Sequence, residues 1–322
     1  MTLSRPALQR VLFLLLCLIW GMTWLAMKAV IAVVPPALFS GLRWTIAGAL
    51  LLLWQALRHE PIRLRPHLLG RLTLVALLMI TLNAVIMLYG LRHVGTGLAS
   101  VISAALTPIS LLGFAVALKQ EQASPRQIGA IALGIIGILV LFGPSAAAGQ
   151  LDTLELLGAV GIILSCTFWA AGSVLVRPLM RTMSTVEVAA TTNLIGGLVL
   201  LALALPFEPG ALAALSFRWG QAAWLGFCFL LFVGSLGATM IYFRLVRDWG
   251  ASRTGTYAFV SPVVAVVLGV AVYGERLQLE DAIGMALMLG AAGLALRRGP
   301  AAKTADPDPA AAPAARIRTG PA

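Results

Sequence analysis

Apolar positions run along this chain in long blocks, and the polar positions are gathered between the blocks. Reading the blocks against their Pro, Gly and charged breaks predicts ten helices. The first five are Val11 to Val34, Ala37 to Ala56, Leu69 to Leu91, Gly97 to Leu118 and Gln127 to Phe142. The second five are Leu157 to Val176, Val186 to Leu205, Trp219 to Phe243, Thr254 to Tyr273 and Asp281 to Leu296. At about 1.5 Å per residue, such helices match a hydrocarbon core about 30 Å thick. Pro35-Pro36 predicts a tight turn between the first two, and Gly143-Pro144 is expected to open a linker between two halves.

One stretch occurs twice. Thr107-Pro108 lies inside the fourth block with Glu121 thirteen positions after the proline, and Ser261-Pro262 with Glu275 repeats this spacing 154 residues later. A proline within a helix removes a donor and crowds the carbonyl four residues back, here Ala104 or Ala258, so both helices are expected to kink at mid-depth. Freed backbone groups persist in a membrane only against protein or a water-filled cavity. Trp20 to Lys28 also aligns with Trp169 to Arg177, Gly48 falls on Gly197, and Gly134-x-x-Gly137 corresponds to Gly290-x-x-Gly293. Five spans per copy is an odd number, so the second copy must insert upside down. The expected fold is an all-α membrane protein with ten transmembrane helices as two inverted five-helix repeats, which places a solute site near the midplane between halves. Its parts are an N-terminus at 1–10, repeats at 11–143 and 157–296, a linker at 144–156, and an Ala/Pro-rich tail at 297–322 expected to be disordered.

Composition agrees with a bilayer protein: 60% of the 322 residues are hydrophobic and only 11% are charged. That leaves too little polar surface for a soluble globule of this size. The net charge of +11 is spread in short groups beside apolar blocks, not gathered in a stripe, which argues against a nucleic-acid partner. Eighteen Lys and Arg fall on one side of the ten-span map, and three, Arg92, Arg218 and Arg276, on the other. The positive side is expected to be cytoplasmic, with both termini there. Cys17, Cys166 and Cys228 all lie in apolar blocks and are read as packing residues.

The Trp20-Gly21-x-Thr23-Trp24 start, the Arg43-Trp44 pair, the twice-used Pro and Glu spacing and the glycines of the fifth and tenth blocks carry a resemblance. From about Val11 to Leu296 the chain resembles the EamA-like branch of the drug/metabolite transporter superfamily. The resemblance implies a ten-helix, basket-shaped secondary carrier of the bacterial inner membrane, often an exporter of amino acids or related metabolites. One departure is Lys119-Gln120 before the first Glu, where Tyr273-Gly274 precedes the second.

Polar and aromatic residues inside the blocks are the candidates for a solute path, since each polar one costs free energy in lipid unless it meets protein, water or ligand. Pro108 and Pro262 are candidate hinges, with the Thr107 and Ser261 hydroxyls turned to solute or to freed carbonyls; passive kinks are the plainer reading. Asn83 lies near the centre of the third block with Met87 one turn on, and Thr239 and Tyr242 occupy the comparable segment of the second copy. Interhelical hydrogen bonding, worth about 1 kcal/mol in membranes, is the alternative for them. Trp20, Trp24 and Trp169 lie too deep for an interfacial belt and could wall in an amphipathic solute or simply pack. Ser103 and Tyr257, about one turn before the prolines, are read the same way.

Arg43 lies roughly 5 Å from mid-depth on this map. It attracts a solute carboxylate or pairs with carbonyls at a broken helix, or else it snorkels or caps structurally, and this last reading is the preferred one for Lys28. Glu121 and Glu275, about 20 Å of helix past their prolines, are expected at opposite faces as gates or loop anchors.

His59, His67 and His93 lie in connections, and no Gly-Lys-Ser/Thr phosphate loop is present, so neither a Ser/His enzyme, a histidine metal site nor ATP drive has its parts. No catalytic residue, metal or cofactor is assigned. The expected partners are a small-molecule solute and membrane lipid, with the chain a monomer or homodimer. The rival function is a non-transporting membrane receptor or scaffold of the same fold.

Overall fold

Proline opens four of the long helices, because its fixed φ and missing N–H suit a first turn. In the computed structural model, which describes residues 4–59, 66–94, 96–147, 153–273 and 279–296, every regular element is helical. The first half contributes α1 (Arg5–Ile31), α2 (Pro36–Leu57), α3 (Pro66–Gly90), α4 (Thr96–Ala117) and α5 (Pro125–Ala147). The second contributes α6 (Thr153–Leu179), α7 (Thr185–Phe207), α8 (Gln221–Trp249), α9 (Tyr257–Tyr273) and α10 (Leu279–Leu296). Glu275, Asp152 and the tail from Arg297 lie outside the described residues, as do the side chains of Trp24 and Lys28.

Local chemistry fixes several boundaries. Ser184 and Glu187 form a reciprocal cap at the start of α7, with bonds of 2.8 and 3.1 Å, and Ser124 and Gln127 do the same for α5 at 3.0 and 3.2 Å. Helix α5 continues to Ala147, past Gly143-Pro144 where the linker was expected to open. A proline in the last turn forfeits a single bond, and the following alanines favour helix enough to carry it on. The ninth block does not start at Thr254 as one helix. Ala251–Thr254 is a separate turn closed by the Thr254 hydroxyl donating to the Gly250 carbonyl at 2.8 Å, and α9 begins only at Tyr257. Gly250, which ends α8, has φ +92°, and a Cβ there would run into the Glu121 carboxylate, so both backbone conformation and space call for glycine.

Two helices are interrupted without proline. In α3 the segment Leu77–Leu82 is π-helical, and in α8 Phe229–Ala238 is; each ends immediately before a candidate path residue, Asn83 and Thr239. Pro108 lies inside α4 and Pro262 inside α9. The interruptions therefore fall in α3, α4, α8 and α9.

Among the described residues, six helices, α1, α2, α3, α6, α7 and α8, are long and apolar enough to cross a membrane. Shorter apolar stretches lie at Ile102–Ala117, Pro125–Val140 and Ala282–Leu296. Leu14, Leu18, Ile136, Leu139, Leu157 and Phe232 are exposed, the outward apolar surface that lipid requires. Helix α2 runs along α7, and α5 along α10. Helix α1 packs on α8 and α9, while α6 packs on α3 and α4.

Small residues permit these approaches. A Cβ on Gly48 of α2 would stand 2.5 Å from the Leu194 amide nitrogen and 2.8 Å from the Ala190 carbonyl of α7, and Gly197 of α7 is pressed in turn against Thr45 of α2. Gly137 of α5 meets Met288 and Gly284 of α10. Gly113, by contrast, has open space around it. Gly48→Val is expected to destabilise the chain by about 1–3 kcal/mol through overpacking, and Gly113→Ala to leave it unchanged. Unfolding in mixed detergent micelles with increasing dodecyl sulfate measures both.

Candidate functional site

Four aromatic side chains from four helices meet where the interrupted segments converge. Trp20 of α1 has its ring 4.4 Å from Tyr257 of α9, 5.1 Å from Tyr242 of α8 and 5.7 Å from Trp169 of α6, centroid to centroid. Trp169 and Tyr242 are 5.4 Å apart, and Tyr242 and Tyr257 6.0 Å. Most pairs are tilted or edge-on, the arrangement that ring quadrupoles favour, worth about 0.5–1.5 kcal/mol per pair beyond burial. Gly21 brings α1 this close, since a Cβ there would lie 2.8 Å from Val264 and 3.0 Å from the Ser261 carbonyl on α9. The Tyr242 hydroxyl donates to Ser173 Oγ of α6 at 2.8 Å, whereas Trp169 Nε1 is buried and has no well-formed hydrogen bond among the described residues.

Trp169 joins this group to a polar one. Asn83 Nδ2 donates to the Ser165 carbonyl of α6 at 3.1 Å, bringing α3 to the turn before Trp169. On the same turn the Cys166 thiol lies beside the hydroxyls of Ser103, Thr107 and Ser165. A thiol is a weak partner, and neither Ser103 Oγ nor Ser165 Oγ has a stronger one among the described residues. Donors and acceptors held this way in a membrane interior are ready for a polar ligand.

The remaining candidates are placed as follows. Met87 is half-buried one turn beyond Asn83. Thr239 is buried and spends its hydroxyl on the Gly234 carbonyl of its own π segment at 3.4 Å. The Ser261 hydroxyl donates to the Tyr257 carbonyl at 3.0 Å, not to the Ala258 carbonyl, which Pro262 deprives of its regular donor. Arg43 stacks over Phe39 and Trp44 of its own helix at 5.2 and 4.5 Å, with Nε buried and without a hydrogen bond among the described residues. No described contact joins it to the aromatic group. Among the described residues, no group of three His, Cys, Asp or Glu could hold a metal.

Two carboxylates tie the helix ends together at opposite ends of the bundle. Glu121, just past the end of α4, accepts a hydrogen bond from the Ser252 hydroxyl between α8 and α9 and lies 3.7 Å from Arg177 Nη1 of α6. At the other end Glu208 follows α7. It accepts from the Ala37 and Leu38 amides at 2.9 and 2.7 Å and from the Tyr89 hydroxyl at 3.1 Å. Pro35 gives α2 no side-chain cap, so the exposed amides of its first turn are satisfied by this acid from across the fold. Sequence reasoning did not nominate Glu208, whose signal was the uncapped Pro35-Pro36 start. It also passed over Asn193, buried in α7 with both amide atoms unpaired among the described residues, although depth and polarity mark it as they mark Asn83.

A separate cavity of about 500 Å³, lined by none of the four aromatics, lies among α4, α5 and α9. Pro108, Leu112, Ile131 and Phe259 form its floor, and Glu121, Arg126, Gln127 and Arg253 stand among its polar walls.

A bundle of interrupted helices around an aromatic and polar enclosure defines a multi-pass membrane protein of the transporter class. The EamA-like transporter family model matches residues 9–143 and again residues 156–297, and the chain belongs to that family. The uncharacterized inner membrane transporter YedA of Escherichia coli K12 is 30% identical over 81% of this chain and 82% of its own length. The uncharacterized transporter YoaV of Bacillus subtilis is 28% identical over 85% and 89%, and Protein PagO of Salmonella typhimurium is 25% identical over 82% and 84%. A solved crystal structure shares the fold with a TM-score of 0.73 and 21% identity, covering 91% of this chain and 97% of its own.

Removing the Glu208 side chain leaves two amides of α2 and the Tyr89 hydroxyl without their partner. Glu208→Ala is expected to cost about 1–3 kcal/mol. Tyr89→Phe, which deletes one of three bonds, is expected to cost about 1 kcal/mol or less. Thermal unfolding of the purified chain with a thiol-reactive dye ranks the two.

Proposed function

We propose that this chain is a secondary carrier of the bacterial inner membrane that moves a small metabolite, an amino acid or related amphipathic compound, outward by alternating access. The observation that carries the reading is the aromatic enclosure of Trp20, Trp169, Tyr242 and Tyr257, continuous with the polar wall of Asn83, Ser103 and Thr107. Rings on one side, and on the other hydroxyls that meet only a thiol partner at Cys166, suit a solute with an apolar body and a polar head. The helices contributing these residues include the four interrupted ones, whose backbone can change with the least loss of regular bonding.

The fold reading that goes with this function is ten spans in two inverted five-helix repeats, with both termini cytoplasmic. Its support is an exchange pattern in the packing: α1 meets α8 and α9 as α6 meets α3 and α4, and α2–α7 and α5–α10 pair with their own counterparts. The π segments before Asn83 and Thr239 recur with nearly the offset of the two prolines. Glu121 and Glu208 serve as latches at the two ends, tying helices that must separate when either end opens. No carboxylate lies in the interior of the described spans, so passage driven by the solute's own gradient, or exchange, fits better than a proton relay.

Liposomes containing the purified chain, screened with radiolabelled metabolite pools, are expected to show saturable flux of some member. Asn83→Ala and Trp169→Ala are expected to lower that flux about ten-fold or more while the proteins still fold, as loss of one ligand contact of about 1.4 kcal/mol would. Unaltered flux in both variants would remove the enclosure as the path, and solute binding without flux would favour the receptor reading. Arg43→Ala separates a cation that draws the solute, whose loss lowers flux, from one that only stacks on Phe39 and Trp44.

Orientation has its own test. A cysteine placed at Asp152 in a Cys-free background is expected to react with an impermeant maleimide added to intact spheroplasts, and one placed at Lys119 is not.

A further inference from the structure

The cavity among α4, α5 and α9 differs from the aromatic enclosure in both shape and chemistry. Its depth is apolar, with Leu112, Ile131 and Phe259 beside Pro108, while its rim carries Arg126 and Arg253 with Ser124, Gln127 and Ser252. This rim belongs to the end of the bundle that bears Lys119, Arg177 and Arg181, the side with the positive excess. Next to it α5 and α10 present Ile128, Ile136, Ile283 and Leu289 outward as exposed apolar side chains, a lipid-facing wall.

Among the described residues that line this space, two arginines, Arg126 and Arg253, face one acid. Glu121 is the acid in its lining, and that carboxylate is engaged by Arg177 and Ser252. Arg253 stacks on Trp249 at 4.4 Å and donates to the Leu296 carbonyl at 2.6 Å, which holds its guanidinium at the rim while keeping its charge. Arg126 Nε is buried and makes no hydrogen bond among the described residues. Two guanidiniums above an apolar slot match a ligand with an anionic head and a hydrocarbon body. A free phosphate would use the first feature and waste the second.

We propose that this cavity holds the headgroup and upper chain of an anionic glycerophospholipid drawn from the adjacent leaflet, with Arg126 and Arg253 on its phosphate. Basic pockets between membrane helices take acidic lipids by this combination of charge and depth. The site does not depend on which solute the carrier moves. Because Pro108 forms part of its floor, a bound lipid would press on the bend of α4 and favour one of its positions.

The test is native mass spectrometry of the delipidated full chain, titrated with phosphatidylglycerol or phosphatidylcholine. Wild type is expected to retain phosphatidylglycerol preferentially, and Arg126→Gln to lower that retention about five-fold, the share of one arginine near a membrane surface. Phosphatidylcholine retention is expected to be the same in both. Arg71→Gln, an exposed arginine at the start of α3, serves as the control for general surface attraction. Ala130→Leu, which fills the cavity from α5, is expected to lower phosphatidylglycerol retention without changing charge.

Equal retention of the two lipids, unchanged retention in Arg126→Gln, or an equal loss in Arg71→Gln would each overturn the proposal. Displacement of phosphatidylglycerol by millimolar glycerol 3-phosphate would overturn the lipid assignment in favour of a small phosphate ester. Transport assays take no part in these readouts, so their failure and the failure of the carrier reading are distinguishable.

Discussion

A backbone amide or carbonyl that loses its helical partner inside hydrocarbon must find another, and water is not at hand to supply it. This constraint organises the molecule. Four helices give up regular bonding, α4 and α9 at a proline and α3 and α8 across a π segment. Each of the four packs on α1 or α6, where Asn83, Thr107, Tyr242 and Tyr257 make their contacts. Repair is local where it can be: Thr239 returns its hydroxyl to Gly234, and Ser261 bonds Tyr257. Around these points gather Ser103, Ser165 and Trp169, whose buried polar atoms find no strong partner among the described residues. An enclosure suited to a ligand follows from the same rule that keeps the outer surface regular and apolar.

The ends of the bundle obey a different balance. Charged groups reach water there, so acids can sit at helix termini and do useful work on exposed amides or on arginines. Glu208 replaces the cap that Pro35-Pro36 cannot provide, and Glu121 links the α4 end to Arg177 and Ser252. Gly250 has no room for a side chain because the Glu121 carboxylate fills that space. Each acid thus holds three separate parts of the chain together, and the interruptions at mid-depth lie between two such ties. Rigid ends around irregular middles are what a bundle needs if its halves are to move against one another about a central site.

Much of this was legible from residue type and spacing. Proline, glycine and charge are read one residue at a time, so the blocks, the repeated Pro108 and Pro262, and the family followed from order along the chain. The candidate aromatics were nominated by depth alone. That Trp20, Trp169, Tyr242 and Tyr257 stand within ring contact of one another could not be read, because four helices far apart in sequence supply them. The π segments were equally hidden. Leu77–Leu82 and Phe229–Ala238 are ordinary apolar runs by residue type, and in the first Met79 lies against Gly172 of α6.

The amino-acid order by itself determined that the chain is helical, that it belongs in a bilayer, where its prolines fall, and which family it resembles. These depend on composition and local rules, which need no neighbours. Only the tertiary structure decided that Arg43 stacks on its own helix while Asn83 reaches across to Ser165, that Glu208 caps a helix it follows by some 170 residues, and that a cationic cavity lies beside Pro108. Such facts are set by which faces of distant helices meet, and residues that are equally polar at equal depth are sorted into partners and bystanders only when those faces close.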